Sequence, residues 1–373
     1  MRTITGPGRR PGAAMPTLRD RAHPALGLGR ALRAGALCVC LAQAGGLLGA
    51  GEDSNAAPEG PEADFVMVPA GAAQFVDFSD KVYERDVPEF WISRHEITND
   101  VYDFFLKHAG SDPALRHPKE PRGASYRPLV TTSEANAPVC GVSWFAACAF
   151  CKWSGAALPS YEEWCKAGFW DPEARRRTVL PWGDAGDVPF NRLKTKPVPI
   201  TSFPKDVSYY GVRNMAGGPV EWIDKWDGEG FTVAMGYYFR GDKGQSFNIN
   251  STHEECGFRV VLRGLKLAEL LSEADKKSFS DLLTKLGAER FADREDAQRQ
   301  LVGAGALARP VLGEHADSPD PEIRLRVRTI LAQKLVLKMR LDVDRMPEGR
   351  SRAKWVPAER SNPRQDAPAN APK

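Results

Sequence analysis

Tryptophan is confined almost entirely to one stretch of the chain. Eight of the nine tryptophans lie between Trp91 and Trp226, in a stretch that glycine, proline and asparagine interrupt repeatedly. Few segments there show helical periodicity, so a domain of this composition depends on buried aromatic rings and fixed turns more than on long elements. The pattern predicts a loop-rich α+β domain of about two hundred residues.

The chain as a whole has the composition of a soluble globular protein. Hydrophobic residues make up 42% and charged residues 27% of its 373 residues, which excludes a chain that is fibrous or disordered throughout. The 51 Lys and Arg against 48 Asp and Glu give a net charge of +3, a balance that does not indicate nucleic-acid binding. No apolar run is long enough for a multi-span membrane protein. The length predicts two domains plus tails.

The first 63 residues predict an export signal followed by a linker. Several arginines precede a short apolar stretch at 34–50, and small residues suited to cleavage lie at its end. A polar segment rich in Pro, Ala and Glu follows at 51–61. We therefore expect an extracytoplasmic protein, periplasmic or secreted, with no membrane span after removal of the signal. An uncleaved N-terminal anchor is the alternative.

Short helices and strands are predicted from Asp64 onward. Apolar runs at 65–68, 90–92 and 260–262 are typical of strands. Ser143 and Ser160 are typical of helix N-caps, and Glu163 completes a capping box with Ser160. These helices would turn Trp144 and Trp164 toward the interior.

A series of short motifs in fixed order resembles the formylglycine-generating enzyme family, also called sulfatase-modifying factor domains. The resemblance covers about residues 64–262 and implies a loop-rich α+β fold related to C-type lectins. The motifs that carry it are VCGVSW at 139–144, LPSYEEW at 158–164, PWGD at 181–184, YGVRNMAGGPVEW at 210–222 and GFR at 257–259.

The copper chemistry of that family lacks its ligands in this chain. Enzymes of the family oxidise a sulfatase cysteine to formylglycine and hold Cu(I) between two cysteines just before the final Gly-Phe-Arg; thiolates suit this soft ion. The corresponding stretch here, 235–246, contains no cysteine, and Cys256 is the nearest one. Copper binding is therefore not expected. Four residues in the place of the family's active loop become the candidate groove: Tyr237, Tyr238, Arg240 and Asp242.

The resemblance also implies a structural calcium site and a disulfide. Asn191 and Glu221 match positions at the family's calcium sites, but Gly218 stands where the family usually has Asn, which removes one oxygen ligand. Cys151 matches a position that forms a disulfide in the family, and Cys256 is the candidate partner. Buried free thiols are an equal alternative.

From Leu265 the pattern becomes helical. The segments FADREDA at 291–297 and SPDPEIR at 318–324 resemble HEAT-type repeats, so 265–340 is predicted to be a small HEAT-like helical segment. A plain helical appendage is the alternative. Residues 341–373 are rich in Pro, Arg and Ala and predict a disordered basic tail.

Two classes of function remain open on the sequence. The first is a non-catalytic binding or accessory module for a protein, peptide or glycan ligand. The second is a divergent oxidoreductase that modifies an exported protein. The missing cysteine pair favours the first. It outweighs the family resemblance, because a fold does not by itself specify a function.

Overall fold

Short helices and strands make up most of the regular structure in the described residues, as the sequence predicts. The computed structural model describes residues 60–77, 79–184, 188–192, 197–226, 231–235, 245–248, 252–347 and 350–358. The strands, in chain order, are β1 (Glu62–Val68), β2 (Gly71–Val76), β3 (Val82–Val87), β4 (Phe90–Ser93), β5 (Trp170–Asp171), β6 (Arg176–Arg177), β7 (Val220–Trp226), β8 (Phe231–Met235), β9 (Gln245–Asn248), β10 (Cys256–Phe258), β11 (Val261–Arg263), β12 (Leu337–Arg345) and β13 (Ser351–Pro357).

Helices lie in two groups along the chain, three before residue 170 and four after residue 270. They are α1 (Asn99–Ala109), α2 (Trp144–Ser154), α3 (Tyr161–Phe169), α4 (Glu273–Leu286), α5 (Phe291–Gly303), α6 (Arg309–Glu314) and α7 (Pro321–Leu331). Short 3₁₀ turns occur at Pro113–Leu115, Leu267–Leu270 and Gly305–Ala308. The mixture of helices and mainly antiparallel strands confirms the predicted α+β class. No helix within the described ranges is long and apolar enough to cross a membrane.

Two sheets organise the strands. The five-stranded sheet has the order β11-β4-β1-β12-β13, so strands from both ends of the described chain flank β1. The four-stranded sheet has the order β10-β7-β8-β9, in which β10 runs parallel to β7 and aligns Gly257 with Glu221. The hairpins β2–β3 and β5–β6 form separate two-stranded sheets. The parallel pairing therefore brings the GFR motif beside the VEW motif.

Both predicted helix caps are present. The Ser143 hydroxyl accepts a hydrogen bond from the Ala146 amide at 3.1 Å. Ser160 and Glu163 form a reciprocal capping box at the start of α3. Each cap satisfies amides that the first helical turn leaves without partners, and so fixes where α2 and α3 begin.

The core is aromatic, as the clustering of tryptophan predicts. The largest side chains that are less than 2% exposed include Trp91, Trp153, Trp164 and Trp222. Phe258 of the GFR motif packs edge-to-face against Phe150 of α2, with ring centroids 5.3 Å apart. Each such ring stabilises the fold through buried apolar area and ring geometry rather than through long regular elements.

The prediction of a disordered tail from residue 341 is wrong over residues 341–345 and 351–357. β12 continues to Arg345, and β13 pairs with it along its whole length. Leu341 and Trp355 are buried, while charged residues alternate with them on the other face. Because apolar and charged residues alternate, the composition of the segment as a whole is polar, although one face of each strand is apolar. The composition therefore predicted disorder.

The C-terminal helices pack into the same core as the tryptophan-rich region. One cluster of buried side chains contains Trp153 and Phe258 together with Phe279 and Leu312 from beyond residue 265. Residues 55–373 accordingly form one compact unit. The helical segment predicted to reach residue 340 ends at Leu331, because the chain enters β12 at Leu337. Whether these helices represent a HEAT unit stays a prediction.

Candidate functional site

A fully buried arginine connects the four-stranded sheet to the end of β4 in the five-stranded sheet. Arg259 of the GFR motif donates from Nε and Nη2 to the two carboxylate oxygens of Glu221, at 2.5 and 2.7 Å. Its Nη1 and Nη2 also donate to the backbone carbonyls of Ser93 and Arg213, both at 3.2 Å. A bidentate pair with further backbone acceptors satisfies nearly every donor of the guanidinium.

The Glu221 carboxylate has a third donor. Trp164 Nε1 lies 2.8 Å from Glu221 Oε2, at a position that the capping box of α3 determines. Glu221 is therefore neutralised and hydrogen-bonded by groups of the protein itself. A cation at Glu221 would lie close to the Arg259 charge, so the predicted calcium role of Glu221 does not fit this geometry.

Two further carboxylates lie beside this ion pair. Glu96 and Asp206 are 3% and 1% exposed, and Glu96 Oε2 is 3.8 Å from Arg259 Nη2. Burial raises the pKa of Glu96 to about 8, with Arg259 opposing the shift and Glu221 adding to it. Burial likewise raises the pKa of Asp206 to about 7. A single guanidinium thus faces three carboxylates, and protons or a cation must supply the remaining positive charge.

Glu96, Asp206 and Asn214 line a small pocket with room for about one water molecule. Asn214, in the left-handed region at φ +61°, donates from Nδ2 to Glu96 Oε2 at 3.4 Å and to the Ile200 carbonyl at 3.2 Å. Among the described residues, Asn214 Oδ1 and Asp206 Oδ1 are buried and accept no hydrogen bond. Unsatisfied buried acceptors of this kind indicate a bound donor or cation.

Gly218 forms part of the pocket wall. Its φ is +85°, and a Cβ there would lie 3.4 Å from Glu96 Oε1 and 3.7 Å from Asn191 Nδ2. The glycine therefore leaves open the space beside both side chains. Asn191, a predicted calcium ligand, lines this pocket together with Glu96.

Glu96, Asp206 and Asn214 are site residues that the sequence alone does not indicate. Asn214 lies within the YGVRNMAGGPVEW motif at 210–222 that carries the resemblance. Their convergence depends on pairing between segments more than one hundred residues apart, which single-sequence reasoning does not supply.

The described cysteines are poor candidates for thiolate chemistry. Cys140, Cys148 and Cys151 are free thiols, and burial raises the pKa of each, that of Cys140 to about 12. A thiol must ionise to act as nucleophile or metal ligand. No cysteine lies between Cys165 and Cys256, so the copper pair of the family has no counterpart.

Because Cys151 is a free thiol, the predicted Cys151–Cys256 bridge is not formed in the structure. Cys151 lies on α2 and Cys256 begins β10, and both belong to the same cluster of buried side chains.

The candidate groove residues Tyr237, Tyr238, Arg240 and Asp242 lie outside the described residues. The strands that flank them in sequence, β8 and β9, pair antiparallel with each other at the edge of the four-stranded sheet. Their role stays a prediction.

Comparison with known proteins identifies the family. The family model described as "Sulfatase-modifying factor enzyme 1-like domain" matches residues 51–264. Hercynine oxygenase of Mycolicibacterium smegmatis is 33% identical over 165 residues, which cover 37% of this chain and 37% of that protein. Formylglycine-generating enzyme of Mus musculus is 28% identical over 131 residues, which cover 30% of this chain and 32% of that protein.

A solved structure, that of CarF, matches 53% of this chain and 97% of its own, with a TM-score of 0.41 and 17% identity. The chain spans less than two-fifths of the length of the two enzymes named above. The family match, by contrast, spans more than half of the chain and includes the motifs that contain Glu221 and Arg259. The chain belongs to the sulfatase-modifying factor family.

Proposed function

We propose that this protein is an exported, non-catalytic binding or accessory module built on a sulfatase-modifying-factor domain. The observation that carries the proposal is the missing thiol chemistry: residues 235–246 contain no cysteine, and the free thiols Cys140 and Cys151 are buried and protonated at neutral pH. Export rests on the signal-like pattern of the first 50 residues. The ligand would be a protein, a peptide or a glycan that contacts the Tyr237–Asp242 loop.

Copper retention tests this proposal directly. The purified chain should keep no Cu(I) against a competing chelator, because a soft two-thiolate site cannot form from one buried Cys256. A copper-loaded formylglycine-generating enzyme serves as the positive control. One equivalent of retained copper that the C256S variant loses, but the C140S variant keeps, would contradict the proposal and identify Cys256 as a ligand.

We propose that a calcium ion would bind in the acidic pocket rather than at Glu221. Glu96, Asp206 and Asn214 supply oxygen atoms only, the donor type that a hard cation prefers, and two of these oxygens have no protein donor. These three residues would hold the ion, which would neutralise charge and cross-connect three segments without taking part in any reaction. We propose a structural role for it.

Calcium should therefore stabilise the folded protein. Millimolar Ca²⁺ is expected to raise the unfolding midpoint by several degrees over the EDTA-treated chain, since a ligand that binds only the native state stabilises it by mass action. The D206N variant should lose most of this shift. D317N, which alters a carboxylate that is 88% exposed, should retain it. Identical midpoints with Ca²⁺ and EDTA would contradict a calcium site here.

The alternative function is a divergent oxidoreductase that modifies an exported protein. Its support is the similarity to hercynine oxygenase and the presence in one pocket of carboxyl groups whose pKa is raised toward neutrality. Buried carboxyls of this type are typical of general acids, although structural ion-pair networks show the same shifts. A mass change in a candidate client protein would favour the alternative, and ligand binding without a mass change would favour the module.

A further inference from the structure

Two arginines meet on one face of the five-stranded sheet. Arg94 follows β4, and its amide donates to the Asp64 carbonyl at 2.7 Å, which extends the β1–β4 register by one pair. The Arg213 amide donates in turn to the Arg94 carbonyl at 2.8 Å. Arg259 binds both backbones from the interior, so the positions of Arg94 and Arg213 are tied to the buried ion pair.

Their positive charge is only partly compensated by the described residues. Arg94 Nη1 is 3.4 Å from Asp64 Oδ2, a long distance for a charge-assisted hydrogen bond. No described carboxylate lies within salt-bridge distance of Arg213. Burial lowers the pKa of Arg213 and the neighbouring charge of Arg94 lowers it further, while the Asp64 and Asp206 carboxylates oppose the shift. The two guanidiniums therefore repel each other and share the Asp64 carboxylate.

Unsatisfied donors point into the same region. In the described part of the chain, the Nε atoms of Arg94 and Arg213 are buried and have no hydrogen-bond partner, and the same holds for His95 Nε2. Burial and the nearby arginine charges lower the pKa of His95 to about 3, so its ring is neutral at pH 7. Buried guanidinium donors without acceptors cost free energy, which indicates that an acceptor is missing from this arrangement.

The C-terminal strand adds a third cation. Lys338 of β12 is directly paired with Asp64, and paired residues of antiparallel strands point to the same side of a sheet. Its side chain is exposed, and no described carboxylate, Asp64 included, forms a salt bridge with its ammonium group. β12 lies beyond the family-matched residues 51–264, so this third cation is a feature of this chain rather than of the family domain.

We propose that Arg94, Arg213 and Lys338 form a binding site for a tetrahedral oxyanion, a phosphate or sulfate group. Guanidinium groups match the oxygens of such anions with paired N–H donors, and an ammonium group adds a point charge. The Asp64 carboxylate would compete with the anion for the Arg94 guanidinium. The site borders the acidic pocket, since Asp206 of that pocket interacts with the charge of Arg213, but the inference does not depend on the proposed function.

Calorimetric titration of the full chain with inorganic phosphate and with sulfate tests the site, in chloride buffer at constant ionic strength. The R94Q/R213Q variant should bind at least tenfold more weakly. R290Q/R299Q is the matched control, because it removes the same charge from side chains that are 80% and 74% exposed, and its affinity should equal that of the parent chain.

Two single variants keep the test decisive if the double variant does not fold. K338Q alters an exposed strand residue and should weaken binding several-fold, whereas D64N removes the competing carboxylate and should strengthen it. Phosphoserine serves as a second probe: tighter binding than inorganic phosphate assigns the anion to an ester on a larger molecule, and equal or weaker binding assigns it to the free ion. Absence of binding, or equal weakening by R94Q/R213Q and R290Q/R299Q, overturns the proposal.

Discussion

Replacing Arg259 with methionine should lower the free energy of unfolding by about 3–5 kcal/mol, the cost of removing one partner from a buried ion pair. Methionine preserves part of the side-chain volume but leaves the Glu221 carboxylate with Trp164 as its remaining described donor. It also frees the carbonyls of Ser93 and Arg213, which hold two separate segments against the GFR motif. Chemical denaturation of the parent chain and the variant measures the difference.

A double-variant cycle separates the ion pair from simple packing loss. E221Q combined with R259M removes both charges, so the combined loss should be clearly smaller than the sum of the two single losses. R263Q is the control, since Arg263 pairs with Glu163 but has a side chain that is 43% exposed. A loss of less than about 1 kcal/mol for R259M, the range of exposed ion pairs, would contradict the role assigned to Arg259.

Truncating Trp355 to alanine should cost about 3–5 kcal/mol, as large-to-small changes of buried aromatic residues generally do. Trp355 lies on β13, is 7% exposed, and contacts Phe65 of β1 edge-to-face with centroids 5.2 Å apart. β13 is further tied to the helices, because Ser351 accepts from Trp153 Nε1 and donates to the His108 carbonyl. The C-terminal strands are thus part of the folded core.

The matched control for this prediction is K354A on the same strand. Lys354 is 56% exposed and its contact with Asp344 is 3.5 Å, so its removal should change the free energy of unfolding by less than about 1 kcal/mol. Equal and small effects of W355A and K354A would mean that residues 351–357 contribute nothing to stability, as the sequence alone suggested.

Local signals in the sequence predicted local structure well. Ser143 and Ser160 cap α2 and α3 as expected, because capping depends on residues three positions apart. The tryptophan cluster correctly indicated an aromatic core, because large aromatic residues concentrated in one stretch are generally buried within one domain. The ordered motifs also identified the family, which the match over residues 51–264 confirms.

Features that depend on distant pairing were not predictable in this way. Glu221, the predicted calcium ligand, instead forms an ion pair with Arg259, because parallel pairing of β10 with β7 aligns two segments 36 positions apart. The acidic pocket needs Glu96 and Asp206 to meet across 110 positions. β12 has a polar composition because only alternate residues face the core, and its place beside β1 depends on a strand 275 positions earlier.

The absence of cysteine from residues 235–246 predicts that this domain does not oxidise a cysteine by the copper route of its family. The most direct measurement incubates the purified chain with copper, oxygen and a peptide containing the Cys-x-Pro-x-Arg motif, and follows the peptide by mass spectrometry. With an active formylglycine-generating enzyme as the control, we expect the peptide to keep its thiol mass in the presence of this protein. Conversion of the cysteine to an aldehyde, lost in the C256S variant, would contradict the account and show that the domain is an enzyme.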